Sequence, residues 1–158
     1  MSADGSQEGG AARRTMSGEA YARYWMENPK AMPPSSRLLG CRPVVADPER
    51  GFCRNSFENR PEFRNPNGAL QGGLIAAMLD DTMAVGALFK IGGGFIVPTL
   101  EMKVNYTRPV ITDQVFAEGW LRHSGRTIAF LEGQLLNADE EVCATATAII
   151  REFRKTRA

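Results

Sequence analysis

Histidine is almost missing from this sequence: His123 is the one such residue among 158. That argues against a multi-histidine metal centre and leaves a Ser-His-Asp arrangement with a single candidate base. Cysteine is scarce as well. Cys41, Cys53 and Cys143 are odd in number and none belongs to a Cys-x-x-Cys pair, so neither a disulfide framework nor a zinc site is expected, and a reducing cytosol suits them best. Neither sign of charge is in excess: 19 Lys and Arg against 18 Asp and Glu leave a net charge of +1. No global field exists for gripping nucleic acid or an anionic membrane, and any anionic ligand has to be held locally. The longest apolar stretch, Ala69 to Phe89, is interrupted by Gln71, Asp80 and Asp81. Carboxylates at mid-span are costly in lipid, so the stretch reads as a buried helix of a protein outside the membrane. The run Gly92-Gly93-Gly94 lacks the following Lys-Ser/Thr of a phosphate loop and reads as a connector.

The opening MSADGSQEGGAARRT carries charge and small residues without the apolar centre of a secretory signal or an anchor. Residues 1–16 are expected to form a disordered leader and residues 17–158 one domain, long enough for a single core. Ser17 can cap a short helix with Tyr21, Tyr24, Trp25 and Asn28 on one side, stopped by Pro29 and Pro33-Pro34. Leu38–Asp47 and Gly51–Phe57 read as a hairpin. After the breakers Asn65-Pro66-Asn67-Gly68, a helix is expected from about Gly72 to Phe89. Thr99–Arg108 then alternates, with Leu100, Met102, Val104 and Tyr106 on one half-buried face. Val115–His123, Thr127–Leu136 and Val142–Phe153 are further strands, and the tight turns between them imply antiparallel neighbours. The layout is α+β, an antiparallel sheet wrapped on one long helix that is apolar nearly all round. Such a sheet leaves edges to cover, which pairing of two copies would do.

Asp80 and Asp81 are the charges inside the helix, and a buried carboxylate needs partners or a purpose. Gly73, Ala77, Asp80, Ala84 and Ala87 share a stripe of small residues that a substrate or a second backbone can approach. Asp81 instead falls with Leu74, Met78, Val85 and Leu88, a core stripe on which it would need a dedicated partner. At the helix start, Gln71-Gly72-Gly73 combines free amides, the positive end of the helix dipole and no obstructing side chain, a suitable place for a developing oxyanion.

Taken together, Asn65-x-x-Gly68-x-x-Gln71-Gly72-Gly73, then Ala-Ala-Met-Leu-Asp80-Asp81, then Thr99-Leu-Glu-Met-Lys-Val-Asn-Tyr-Thr-Arg-Pro109 resemble the PaaI-type hotdog-fold thioesterases over about Asn65 to Ile150. The resemblance implies a hotdog fold, a homodimer or homotetramer, and an active site shared between subunits. It implies hydrolysis of an acyl-CoA to a carboxylic acid and free CoA, with CoA part of the substrate and no further cofactor or metal. By position, Asp80 matches the acid that attacks the thioester or activates water, and Gly72 the amide that polarises its carbonyl. Asn65 matches the asparagine before the motif, and Thr99 the hydroxyl residue that helps place the water. Gln71 stands where the family commonly has His. It can donate a hydrogen bond but cannot exchange a proton near neutrality. The segment His123-Ser124-Gly125-Arg126 also resembles the family's turn near the nucleotide end of CoA, where Arg122 and Arg126 would meet phosphates.

The rival readings are a non-catalytic acyl-CoA binding or sensing module, which the missing histidine favours, and a dehydratase or hydratase, for which the helix offers no histidine. Neither nucleic acid nor membrane is an expected partner, and the expected location is cytoplasmic.

Overall fold

A computed structural model describes residues 13 and 15–154. Ser17 accepts a hydrogen bond from the Ala20 amide at 3.3 Å and opens helix α1 (Gly18–Glu27). Its aromatic stripe covers the C-terminal half of the long helix: Tyr21 and Trp25 are buried, and Tyr21 meets Phe89 edge-on with centroids 6.5 Å apart. Most of the leader expected over 1–16 lies outside the described residues; Arg13 lies over the rings of Tyr24 and Trp25.

One expectation fails just after α1. Pro33-Pro34 do not only end a helix, because Pro34 opens the next, α2 (Pro34–Leu39). Proline's fixed φ and absent N–H suit a first helical turn. Gly40, at φ 75, then closes α2 in the left-handed region. The first strand consequently begins at Arg42 rather than Leu38. β1 (Arg42–Asp47) and β2 (Phe52–Glu58) form the expected antiparallel hairpin.

Helix α3 (Gly72–Ile91) follows, its buried side formed by Ile75, Met78, Leu79, Thr82, Met83, Gly86, Ala87 and Phe89. After it come β3 (Phe95–Ile96), β4 (Thr99–Tyr106), β5 (Gln114–Ser124), β6 (Ile128–Asn137), β7 (Val142–Arg151) and β8 (Phe153–Arg154). Six strands make one antiparallel sheet in the order β1-β2-β5-β6-β7-β4, and β3 pairs with β8 separately. This is the hotdog architecture expected above: α3 lies across the sheet, against β2, β5 and β6.

The sheet admits the helix closely because glycines oppose each other where the two meet. Gly119 of β5 pairs with Gly133 of β6. A Cβ on Gly119 would lie 2.8 Å from Met83 Cα, and one on Gly133 would lie 2.9 Å from Met83 Cγ. Any larger residue would lift α3 off the sheet. Burial at this seat leaves the Gly73–Ala77–Asp80–Ala84 side of α3 only partly covered, whereas Ala87, expected on the same approachable stripe, is fully buried.

Candidate active site

Asp80 is half-buried on that small-residue side and accepts a hydrogen bond from Thr99 Oγ1 at 2.6 Å through Oδ1. Simple alternation would put Thr99 on the same side of β4 as Glu101, Lys103 and Asn105, away from the helix. A bulge between Thr99 and Glu101 changes this. Thr99 pairs with Ile150, which is fully buried, while Glu101 pairs with Ile149, which is not. The extra residue thereby turns Thr99 to the helix side. The same bulge leaves Leu100 57% exposed, so the half-buried face expected of Leu100, Met102, Val104 and Tyr106 holds only for Met102 and Val104. Tyr106, 53% exposed, has a different contact.

That contact is at the start of α3. Gln71 is the N-cap residue, and its Oε1 accepts from the Gly73 amide at 3.0 Å. The Tyr106 hydroxyl donates to the Gly72 carbonyl at 2.9 Å, and the ring lies so near that a Cβ on Gly72 would meet it at 3.3 Å. The Gly72 amide, one of the first-turn donors that no helix can satisfy internally, carries no hydrogen bond to another of the described residues. Sequence reasoning missed Tyr106, assigning it to a buried face. Asn65 shapes the approach: its Oδ1 accepts from the amides of Asn67 at 2.9 Å and Ala69 at 3.2 Å. Asn65, Gly72 and Tyr106 border an open pocket of about 360 Å³ whose floor includes Ala69, Leu70, Ile75 and Val110.

Of the core stripe expected to hold Asp81, only Met78 is fully buried; Asp81, Leu74, Val85 and Leu88 are half-buried, yet Asp81 does have a dedicated partner. Ser36 Oγ of α2 donates to Asp81 Oδ1 at 2.6 Å, and Oδ2 is sealed from solvent without a hydrogen-bond partner. Burial pushes the Asp81 carboxyl above the usual carboxylate range; hydrogen bonds from Ser36 and Cys41 pull it back, and the neighbouring Asp80 charge adds to the upward push. Burial likewise raises the thiols of Cys41 and Cys53, with Asp81 the next cause for each. Thiols so held are poor nucleophiles.

Arg122 and Arg126 are not brought to Asp80 within the chain. Gly119 faces α3, so its strand neighbour Trp120 faces the other way. Arg122 shares that outer surface, donating from Nε to Glu132 Oε2 at 2.7 Å and lying over the Trp120 ring at 5.3 Å. This is a half-exposed pair of the kind that contributes little to stability. Arg126 is exposed in the β5–β6 turn, and His123 is exposed beside Phe130. Among the described residues no three His, Cys, Asp or Glu side chains converge as metal ligands, and no helix is long and apolar enough to cross a membrane.

Comparison with known proteins shows what the chain is similar to. Residues 67–144, which hold Gly72, Asp80 and Thr99, match the model of the thioesterase superfamily. A Saccharolobus solfataricus protein described as a candidate esterase is 28% identical over 102 residues, 65% of this chain and 72% of that protein. Among solved structures, a Ralstonia eutropha JMP134 protein described as a candidate thioesterase related to phenylacetic acid degradation is 27% identical. It superposes with a TM-score of 0.76 over 83% of this chain and 98% of its own. The fold is also that of the E. coli PaaI protein from the phenylacetic acid degradation operon, which is 16% identical, with a TM-score of 0.74 over 85% of this chain and 97% of PaaI.

Proposed function

Since the chain belongs to the thioesterase superfamily, with the hotdog fold of its PaaI-type members, we propose that it hydrolyses an acyl-CoA thioester to a carboxylic acid and free CoA. Asp80 supplies the carboxylate, as general base toward water or as nucleophile, and the Gly72 amide receives the developing oxyanion. The observation that carries the proposal is the bond from Thr99 to Asp80. It fixes one carboxylate oxygen and leaves the other without a partner among the described residues, on a side of α3 that is only partly covered.

Distance along the helix argues that the reaction needs two copies of the chain. Gly72 and Asp80 are separated by about 12 Å of helix rise, whereas attack and oxyanion binding at one carbonyl each need contact within about 3–3.5 Å. An antiparallel second copy, packed on the small-residue stripe, would bring its Gly72 toward the first copy's Asp80. The edge of β4 is open for the same pairing: it lies at the end of the sheet, flanked by exposed Leu100, Ile96 and Ile111. We therefore place a homodimer, or a pair of dimers, behind the activity.

Gln71 takes a defined part in this scheme. With Oε1 committed to its own helix, its Nε2 group is left as a donor beside the Gly72 amide, where it can orient a thioester oxygen without exchanging protons. Asn65 holds the turn that leads into the helix. Arg122 and Arg126 remain our candidates for the CoA phosphates, since Glu132 is a surface partner that a phosphate can displace. The chemistry draws on protein groups alone, and the three buried thiols suit the reducing cytoplasm as its setting.

The substitution of Gln71 for the family's common His favours one rival, a protein that holds acyl-CoA without cleaving it. A panel of aromatic and aliphatic acyl-CoAs assayed for free thiol separates the readings. Thiol release supports hydrolysis. Retention of intact ligand would make the protein a binding module, and addition of water across a double bond would make it a hydratase.

A further inference from the structure

We infer that Tyr106 is a positioning residue for the oxyanion site, one that determines which amide at the start of α3 is presented to substrate. The inference rests on the reading of Gly72 as oxyanion donor and adds the device that holds it. Two glycines in succession leave the first turn of α3 conformationally loose, because neither has a Cβ to restrict φ and ψ. The peptide between them is nevertheless pinned at both ends. Its carbonyl, on Gly72, accepts from the Tyr106 hydroxyl at 2.9 Å, and its N–H, on Gly73, donates to Gln71 Oε1 at 3.0 Å. With that plane held on both sides, the remaining free amide is the one on Gly72, aimed by its pinned neighbour.

Tyr106 can do this because its own backbone is anchored. It closes β4 opposite Ala144 of β7, and the next two amides, of Thr107 and Arg108, both donate to the Cys143 carbonyl. Its ring lies against the glycine rather than in the core, being 53% exposed and on the wall of the pocket beside Gly72. The closeness also accounts for glycine at position 72. A Cβ there would meet the tyrosine ring at 3.3–3.6 Å, so a larger residue would displace either the hydroxyl or the turn.

Tyr106→Phe keeps the ring and removes the donor. The expected result, with the acyl-CoA that the panel identifies as best, is a fall in kcat of about 10-fold with KM changed by less than about 2-fold. The pH profile should keep its shape, because the hydroxyl exchanges no proton. A signature that does not depend on turnover accompanies it: in ¹⁵N relaxation, the Gly72 and Gly73 amides should become more mobile in Tyr106→Phe than in the parent, with the rest of α3 unchanged. If the parent enzyme hydrolyses the thioester and Asp80→Asn does not, yet Tyr106→Phe keeps the parent kcat and the parent mobility at Gly72, the inference is overturned and the reading of the site stands. A shifted pH profile in Tyr106→Phe would also overturn it, since that would make Tyr106 a proton donor. If the parent releases no thiol from any acyl-CoA, the failure lies with the reading of the site; unchanged Gly72 mobility in Tyr106→Phe would then overturn the inference separately.

Discussion

Asp80 and Asp81 are consecutive on α3 and chemically identical, yet the helix turn of about 100° between them delivers them to different neighbours. Asp80 receives its hydrogen bond from Thr99 on β4, an edge strand, and sits among glycine and alanine on the side the chain leaves partly open. Asp81 receives its bond from Ser36 on α2, with Cys41 and Cys53 nearby and one oxygen sealed away from any partner. The difference teaches that function on this helix is assigned by what covers each side. Burial raises the pKa of Asp81, and its bond from Ser36 ties α2 to α3. Asp80, only half-buried, has one oxygen without a partner among the described residues, on the side where we propose that a second copy of the chain docks.

If the Asp80 side belongs to a site made by two subunits, complementation should expose it. Asp80→Asn and Gly72→Ala should each be nearly inactive alone, and subunits exchanged between them should recover about a quarter of parental activity, since about half the dimers would be mixed with one intact site each. Mixing Asp80→Asn with Asp81→Asn gives no such requirement. Recovery absent from a demonstrably mixed dimer would place both groups in one subunit. Thr99→Val tests the other half of the Asp80 environment. Losing the hydroxyl while keeping the shape should lower kcat about 10-fold, with the melting temperature little changed.

On the Asp81 side the expected effects fall on stability. Ser36→Ala removes the 2.6 Å hydrogen bond to Asp81 Oδ1 and should destabilise the fold by about 1–3 kcal/mol, read as a lower denaturant midpoint at neutral pH. Asp81→Asn should act more gently and in the opposite direction. The folded chain holds this proton above the pH at which the unfolded chain releases it, so parental stability should fall as pH rises from the ordinary carboxylate range toward the raised value. Above that value the cost of the buried charge is fully present, and an amide does not carry it. Melting curves at several pH values should show Asp81→Asn losing this slope and exceeding the parent near neutrality. A parallel pair of curves would mean that Asp81 titrates normally.

Much of this arrangement was legible before any coordinates. The long apolar run, interrupted mid-way by Asp80 and Asp81, gave α3 within two residues of its C-terminal end, and the four-and-three spacing of small residues picked out the side on which Asp80 lies. The need of Asp81 for a partner was legible as well, though Ser36 was not. Ser36 lies on α2, and Pro33-Pro34 can either stop a helix or start one, a choice made by Gly40 six residues later. Thr99 was legible through family resemblance, while its orientation depends on a bulge that alternation does not signal. The seat of α3 on Gly119 and Gly133 was hidden for another reason. Each glycine looks like an ordinary interruption of a strand until the register sets them opposite each other. Tyr106 was misassigned by the same alternation, since a strand's final residue is free to cover whatever lies beyond the sheet.

The claim that these neighbouring carboxylates divide reaction from structure is tested most directly by one side-by-side assay. Thiol release from the best acyl-CoA should be measured for the parent, Asp80→Asn and Asp81→Asn, each confirmed to be folded and of parental oligomeric size. The account predicts a loss of at least about 100-fold in kcat for Asp80→Asn and turnover within a few-fold of the parent for Asp81→Asn. Near-parental turnover by Asp80→Asn, with Asp81→Asn inactive, would contradict it.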